Sequence, residues 1–242
     1  MKKILADIHT HTLVSGHAYG TIREMAQAAA EQGLEVLGIT EHAPGIPGTV
    51  DPFYFCNLKV IPRTLYGVQL LHGSEINVLN DGSLSLEQKW IDKLDYAIVG
   101  IHNPCYDNAG PQQNTKNLIQ CMRNEKVRLI SHPDDDRTPL DYPQLVQAAK
   151  TWHVALEVNN SSLANKGPRK NCVENYRTML RYCQQLRVPI IVNSDAHDPS
   201  WVGQFSHALE LLEQLDFDPD LILNTDKDAL MTFLLEEKHT CL

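Results

Sequence analysis

The sequence has no long hydrophobic run. Its 242 residues are 43% hydrophobic and 21% charged, an ordinary composition for a soluble globular protein. No apolar stretch approaches the roughly 20 residues that a membrane-spanning helix needs. The apolar segment Ile4-Leu5-Ala6, near the N-terminus, is too short for a signal peptide. We therefore expect a cytoplasmic protein with no membrane partner.

Zinc-finger cysteine pairs and runs of basic residues are also missing. The six cysteines are scattered and none forms a CxxC pair. In a reducing cytoplasm we expect them to be free thiols. The formal net charge is −9, and no basic run offsets it, so attraction to nucleic acid is not expected.

Linkers, internal repeats and low-complexity tracts are absent, so we interpret residues 1–242 as a single domain. Short apolar runs alternate with helical segments about seven times, as in parallel sheets with crossover helices. Most of these runs are continuously apolar, which suits strands covered on both faces. Polar groups follow nearly every run. A barrel brings all strand ends to one mouth, whereas an open sheet gathers only a few, so an α/β barrel is favoured.

Local signals place the helices and turns. Thr21 and Glu24 form a capping box before an Ala-rich segment that Gly33 can close. A long loop is predicted over residues 43–56, a short helix over 57–66 and a turn at Asn80-Asp81-Gly82. Further helices are predicted over 85–93, 112–125, 142–152, 172–186, 205–215 and 228–238.

Histidine is abundant, with 11 residues. His9 and His11 lie two apart at the end of the first apolar run, so on a strand their side chains point the same way. Two imidazoles so placed can bind one metal ion. Taken alone, the pair is equally consistent with two surface histidines. The other titratable residues decide between these interpretations.

Titratable groups recur at the strand ends and in the loops that follow. Any one of them has a bland explanation as a polar residue that caps a strand. Catalytic zinc usually takes three protein ligands, so nine such groups fit two or three ions. Their mixture of imidazole and carboxylate favours Zn, Mn or Fe over Mg or Ca. The nine candidate metal ligands are His9, His11, His17, His42, Glu75, His102, His132, Asp195 and His197.

Some residues fall outside this pattern. The run Val154 to Val158 ends on Asn159 and Asn160 and supplies no titratable group at its end. Four histidines are interpreted as structural or surface residues: His72, His153, His207 and His239.

Six motifs, in this order, resemble the polymerase and histidinol phosphatase (PHP) family, and most closely its small bacterial stand-alone phosphatases. The resemblance covers essentially the whole chain, and the segments His17-Ala18-Tyr19 and Glu157 to Ser162 share it. It implies a TIM-like, distorted seven-stranded (β/α)7 barrel with three divalent metal ions at its mouth, Zn2+ foremost and Mn2+ or Fe2+ as alternatives. The motifs are Asp7-Ile8-His9-Thr10-His11-Thr12, Ile39-Thr40-Glu41-His42, Gly73-Ser74-Glu75, Gly100-Ile101-His102, Ser131-His132-Pro133 and Ser194-Asp195-Ala196-His197.

The resemblance also implies how the ligands divide. Glu75 would bridge two metals, and Glu41 stands where the family usually has Asp, which concerns only a contact outside the ligands. By resemblance, the first metal would be held by His9, His11, Glu75 and Asp195, the second by Glu75, His102 and His132, and the third by His17, His42 and His197.

Such a site predicts a phosphatase that acts on small phosphomonoesters. A metal-bound hydroxide would be the nucleophile, and we find no Cys/His or Ser/His/Asp set that would replace it. Three divalent ions would keep the site positive in an acidic chain. Arg169 and Lys170 are candidate phosphate contacts, as are Lys166 and Arg137, although such clusters more often form a solvated surface.

Three other functions stay open. An amidohydrolase-type enzyme also begins with His-x-His, but often carries a metal-bridging lysine on the fourth strand, and the run Tyr96 to Ile101 has none. A PHP-type exonuclease is disfavoured because basic surface and fused domains are lacking. A non-enzymatic metal-binding protein is the third. Whether the chain forms a homo-oligomer, and which group protonates the leaving group, are left open by the sequence.

Overall fold

The computed structural model describes residues 2–164 and 169–238. Seven parallel strands follow the order β1-β2-β4-β5-β6-β7-β8, and the short β3 pairs antiparallel with β4. Thr10 bridges Ala196 just beyond β8, and the Ile8 N–H donates to Asn193 Oδ1 at 3.0 Å. The sheet is therefore a nearly closed seven-stranded barrel, as predicted. The strands are β1 Ala6–Thr10, β2 Val36–His42, β3 Thr64–Leu65, β4 Val68–Asn77, β5 Ala97–Gly100, β6 Val127–Ile130, β7 Ala155–Asn159 and β8 Ile190–Asn193.

Helices surround this barrel. The capping box at Thr21 and Glu24 is present, and Gly33 lies beyond the helix end with φ +67°. Among the described residues no helix is long and apolar enough to cross a membrane. The α-helices are α1 Ile22–Glu31, α2 Gln88–Ile91, α3 Pro111–Cys121, α4 Tyr142–Thr151, α5 Asn160–Ala164, α6 Cys172–Leu186, α7 Ser206–Gln214 and α8 Lys227–Leu235, and 3-10 turns span Leu13–Ser15, Pro52–Val60, Pro199–Trp201, Pro219–Leu221 and Leu223–Thr225.

The segment before β4 differs from the prediction. A 3-10 helix occupies Pro52–Val60, so the predicted loop is too long and the helix predicted over 57–66 is wrong. Tyr66 and Gly67 both have positive φ, as required in the two-residue turn of a tight hairpin. That turn folds β3 back on β4, and the two residues of β3 were too few to predict. The helix predicted over 85–93 is shortened to α2.

Two clusters of buried apolar residues form the core of the barrel domain. One takes residues from every strand of the barrel, including Ile8, Leu71 and Ile98, together with Leu230 and Phe233 of α8. The other, larger cluster lies between the strands and the surrounding helices. Because apolar side chains and α8 fill the amino end of the barrel, the polar side chains are left at the carboxyl end. The sheet therefore positions one polar site at its mouth.

Candidate metal centre

The carboxyl ends of the strands bring all nine candidate ligands together. His9 lies within β1, Glu75 within β4, and His42 is the last residue of β2. The others follow strands or, for His17, the 3-10 turn after β1. His17 is exposed, whereas His9, His11 and Glu75 are completely buried.

Four ligand atoms surround one point. His9 Nε2 lies 3.1 Å from His11 Nε2 and 3.4 Å from both Glu75 Oε2 and Asp195 Oδ1. His11 Nε2 lies 3.3 Å from Asp195 Oδ1. Ligands about 2.1 Å from a tetrahedral metal are about 3.4 Å apart. Glu75 Oε2 and Asp195 Oδ1 are buried without a hydrogen-bond partner in the described part of the chain, as expected for atoms that bind a cation.

The second oxygen of Glu75 faces another pair of imidazoles. Glu75 Oε1 lies 2.7 Å from His132 Nε2 and 3.2 Å from His102 Nε2. The Ser131 hydroxyl donates to the same oxygen at 2.7 Å. One carboxylate thus presents its two oxygens to two different groups of ligands, which is what a bridging ligand requires.

A third group of imidazoles lies at the outer edge. His17 Nε2 and His197 Nε2 are 3.2 Å apart, and the rings of His17 and His42 stack with centroids 4.9 Å apart. His42 Nδ1 also lies 3.0 Å from Glu75 Oε2. His42 can therefore join His11 and His197, or Glu75 and His102, in a metal-binding group. The resemblance assigned it to the outer group alone.

Electrostatics keep the carboxylates of the centre ionised. Burial opposes ionisation of Glu75, but His102, His9 and His132 hold its pKa well below the ordinary value. The pKa of Asp195 is lowered in the same way, chiefly by His9. Burial, followed by repulsion from neighbouring imidazoles, places the pKa of His11 well below its usual value. Without metal, the centre therefore combines anionic carboxylates with a neutral His11.

Two candidate ligands have unusual backbone conformations. His132 has φ +29° and Asp195 φ +55°, a region that non-glycine residues seldom adopt. Each is held by a buried side chain: the His132 N–H donates to Glu157 Oε2 at 2.7 Å, and Asn159 Nδ2 donates to Asp195 Oδ2 at 3.0 Å. Hydrogen bonds with neighbouring side chains thus fix His132 and Asp195 in positions that face the centre.

Sequence reasoning quoted Asp7 and Glu157 within family motifs but missed the positions of these buried carboxylates behind the candidate ligands. Glu157, on β7, lies 2.7 Å from His9 Nδ1 through its Oε1. Asp7 accepts hydrogen bonds from Ser194 and Gly203, and burial raises its pKa to about 6. The available signal was a carboxylate inside an apolar strand, as in Ala-Leu-Glu-Val-Asn of β7. A charge there needs a polar environment within the barrel.

The contact made by Glu41 is now explicit. Glu41 accepts hydrogen bonds from the Thr12 hydroxyl at 2.5 Å and the Ser15 hydroxyl at 2.6 Å. Ser15 Oγ in turn lies 3.0 Å from His11 Nδ1 and accepts from the His42 N–H at 3.0 Å. Glu41 therefore reaches two ligands through one serine.

A cavity of about 470 Å³ opens beside the metal centre. Arg137 and Arg169 line it together with His17, His42 and His102. Each arginine is paired with a carboxylate, Arg169 Nη1 with Asp134 Oδ1 at 3.2 Å and Arg137 with Asp135. Two arginines, each held by a carboxylate, therefore line this cavity beside the candidate ligands.

Lys170 is exposed and does not line this cavity; its backbone N–H donates to Asp135 Oδ1. The candidate Lys166 lies outside the described residues, as does His239.

The other three histidines within the described residues do not reach the centre. His72 is buried on β4 with its backbone N–H on Asp95 Oδ2, and the ring of His153 packs against Phe233 with centroids 4.6 Å apart. His207 lies on α7, where its backbone N–H donates to Asn160 Oδ1. The cysteines within the described residues are free thiols.

Comparison with known proteins decides the family. Residues 7–161 match the PHP domain. The chain belongs to the PHP domain family. A protein named probable phosphatase from Clostridium novyi is 40% identical over 233 residues, which are 96% of this chain and 95% of that protein. Another of that name from Thermoanaerobacter is 37% identical over 239 residues, 98% of this chain and 97% of the relative.

Solved structures share the fold of this PHP chain. Histidinol phosphate phosphatase from Lactococcus lactis, complexed with zinc, L-histidinol and phosphate, aligns with a TM-score of 0.62 at 16% identity and covers 88% of this chain and 94% of that one. A chain of an archaeal ribonuclease P with mature tRNA also gives 0.62 at 16% identity, covering 94% and 92%. The predicted PHP family and TIM-like barrel are therefore confirmed.

Proposed function

We propose that this PHP protein is a metal-dependent phosphatase that hydrolyses small phosphomonoesters at a centre of three divalent ions. One observation carries the proposal: anionic, unpaired carboxylate oxygens and imidazole nitrogens converge at separations that suit metal ligands. The shared name of the relatives, probable phosphatase, supports the reaction class.

Nine side chains would hold the ions. Glu75 is the proposed bridge, because its two oxygens face different sets of imidazoles. Divalent ions lower the pKa of bound water toward 7 and neutralise phosphate charge. Zinc is our first choice because the ligands are mainly imidazoles, with Mn2+ and Fe2+ as alternatives. The proposed ligands are His9, His11, His17, His42, Glu75, His102, His132, Asp195 and His197.

The proposed phosphate site is the cavity beside the candidate ligands. Arg169 and Arg137 both line it, and a guanidinium can make two parallel hydrogen bonds to phosphate. Arg169 is the stronger candidate because its side chain is mostly buried. Lys170 does not line the cavity, so it would contribute only a charge from outside it. The cavity volume of about 470 Å³ is in the range of sites that bind small ligands.

A metabolite screen with protein of known metal content tests this function. Phosphomonoesters, amides and labelled single-stranded nucleic acids are offered side by side to metal-loaded and chelated protein. We expect release of phosphate from monoesters by the loaded protein only. Turnover of amides or nucleic acid without phosphatase activity would contradict the proposal. A cytoplasmic location remains part of the proposal.

A further inference from the structure

The carboxylate of Glu157 lies at the junction of several ligand-bearing segments. It is completely buried, and its hydrogen-bond partners lie in the barrel strands or directly after them. Oε1 lies 2.7 Å from His9 Nδ1 and accepts from Asn193 Nδ2 at 2.8 Å. Oε2 accepts from the His132 N–H at 2.7 Å and from Asn159 Nδ2 at 3.2 Å. Both oxygens are therefore occupied by donors, and neither is left to bind a metal.

These contacts determine which nitrogen of His9 can bind metal. An ionised carboxylate only accepts hydrogen bonds, and the oxygens of Glu157 already accept from Asn193 Nδ2, Asn159 Nδ2 and the His132 N–H. His9 Nδ1 must therefore carry the proton. In the neutral ring, Nε2 then presents a lone pair toward the point that it shares with Glu75 Oε2 and Asp195 Oδ1, both 3.4 Å away.

The same carboxylate reaches ligands of two proposed metal positions. His9 and Asp195 belong to the first position, and Asn159 links Asp195 to Glu157 through a 3.0 Å hydrogen bond. His132 belongs to the second position, and its left-handed backbone is held by Glu157. None of these contacts involves His17 or His197 of the third position.

We propose that Glu157 is a positioning residue that orients ligands of the first and second metal positions together, so that these two positions load as a coupled pair. The third position loads independently of it. This inference rests on the proposed three-metal function. It means that Glu157, which is not itself a metal ligand, controls how the metal positions are loaded.

Glu41 is a matched control within the same barrel. It is also buried and accepts hydrogen bonds from the Thr12 and Ser15 hydroxyls. Through Ser15 it contacts His11 and His42, but it touches neither His9 nor His132. Glu41→Gln and Glu157→Gln therefore make the same chemical change at two different points of the ligand support.

The Gln substitution is disruptive at Glu157 for a definite reason. A Gln side chain has one accepting oxygen and one donating amide, whereas Glu157 meets donors at both oxygens. If the amide faces His9, it donates to Nδ1 and forces the proton to Nε2, which removes the lone pair for metal. If it faces His132, the backbone N–H there loses its acceptor. Either orientation misplaces a ligand.

Metal titration of the wild type, Glu157→Gln and Glu41→Gln tests the coupling. Zinc binding is measured by competition with a chromogenic chelator, and the bound ions are counted by elemental analysis. We expect Glu157→Gln to weaken two ions together, by about 10- to 100-fold, while one ion stays near wild-type affinity. Glu41→Gln acts through Ser15 on His11 of the first position and His42 of the third, so it should leave the second ion near wild-type affinity. Loss of one ion only in Glu157→Gln, or identical effects of the two substitutions, would overturn the inference.

A second measurement does not depend on the fold of a variant. In wild-type protein labelled with 15N histidine, the His9 ring should be in the Nδ1–H tautomer with Nε2 deprotonated in the zinc-loaded state. A proton on Nε2 there would refute the positioning role. A wild type that binds a single ion contradicts the proposed function as well, whereas three ions that load without coupling contradict this inference alone.

Discussion

At the scale of single residues, Glu75 has the most demanding position in the centre. Its Oε2 lies 3.4 Å from His9 Nε2 and its Oε1 lies 2.7 Å from His132 Nε2. A carboxylate can bind two ions because it has two oxygens, whereas a neutral imidazole offers one lone pair. Replacing this group should therefore affect more of the centre than replacing a ligand at its edge.

Glu75→Gln is expected to lose more metal and more activity than His17→Ala. The substitution removes the negative charge between the two proposed ions while nearly keeping the shape, whereas His17 is an exposed candidate ligand of the outer group. We expect at least one ion to be lost from Glu75→Gln, and activity to fall at least 100-fold by loss of a bound ion's charge stabilisation. Metal content and phosphatase rate are compared at equal metal concentration. Full metal content in Glu75→Gln, with two or more ions missing from His17→Ala, would refute the bridge.

Metal affinity should decrease with acidity. Burial opposes protonation of His9, but the carboxylates of Glu157, Asp195 and Glu75 raise its pKa well above the ordinary value in the metal-free protein. Below that pKa a proton competes with metal for Nε2, so affinity falls about tenfold per pH unit for each ligand protonated. The lowered pKa of His11 keeps that ligand available. Chelator competition between about pH 5.5 and 8 measures the slope, and a flat profile would contradict the account.

The convergence of the candidate ligands could be predicted from the sequence, but the contacts that support them could not. His42 and His102 stand at strand ends, where a parallel barrel gathers side chains, so their meeting follows from chain order. Glu157 lies two residues before the end of β7, and its contact with His9 spans 148 positions. Glu157 and His9 meet only because the strands of the closed barrel have a particular register. That register cannot be inferred from local sequence patterns.

At the scale of secondary-structure elements, close packing depends on glycine where β1 and β2 meet Tyr96, the residue before β5. A Cβ at Gly38 would lie 2.0 Å from Tyr96 Oη and 2.8 Å from Ile8 Cα. The Tyr96 hydroxyl donates to Ile8 O at 2.5 Å. This contact fixes the strand that carries His9.

Gly38→Ala should destabilise the protein by about 1–3 kcal/mol, since an added methyl group in a filled core forces side chains and backbone to move. Removing the hydroxyl in Tyr96→Phe creates room, so the double variant should be more stable than the sum of the single effects implies. Urea unfolding of the three variants gives the coupling energy. Strict additivity, or a neutral Gly38→Ala, would show that the contact is not tight.

The elements that sequence reasoning placed well have strong local signals. α1 has its capping box. α6 occupies the predicted residues 172–186, because a hydrophobic pattern that repeats over fifteen residues is a stronger signal than any single residue within it. The 3-10 helix Pro52–Val60 and the two-residue β3 are short. Their conformations depend on packing against β4 and the outer core, which a local pattern does not encode.

At the scale of the whole molecule, the barrel places a group of buried carboxylates at one mouth. Five carboxylates in or behind that mouth are buried or nearly so: Asp7, Glu41, Glu75, Glu157 and Asp195. Bringing such charges together opposes folding unless they are paired or bound to cations. Metal binding to the folded chain is therefore coupled to stability.

Chelation should lower the melting temperature. Metal that binds only the folded state stabilises it by about 4 kcal/mol per site when its free concentration is 1,000 times Kd, and that contribution is lost in excess chelator. Calorimetry of loaded protein and of protein shown to be metal-free measures the difference, and re-addition of zinc should restore the melting temperature. An unchanged melting curve after verified metal removal would contradict the coupling.

The central claim is that this PHP protein is a phosphatase with three metal ions. Its most direct test is to determine metal content and phosphomonoester turnover on the same metal-replete preparation, while ions are added back in steps to chelated protein. We predict about three ions per chain when activity is maximal, from nine ligands shared at three or four per ion. Full activity in metal-replete protein that consistently holds a single ion would contradict the account.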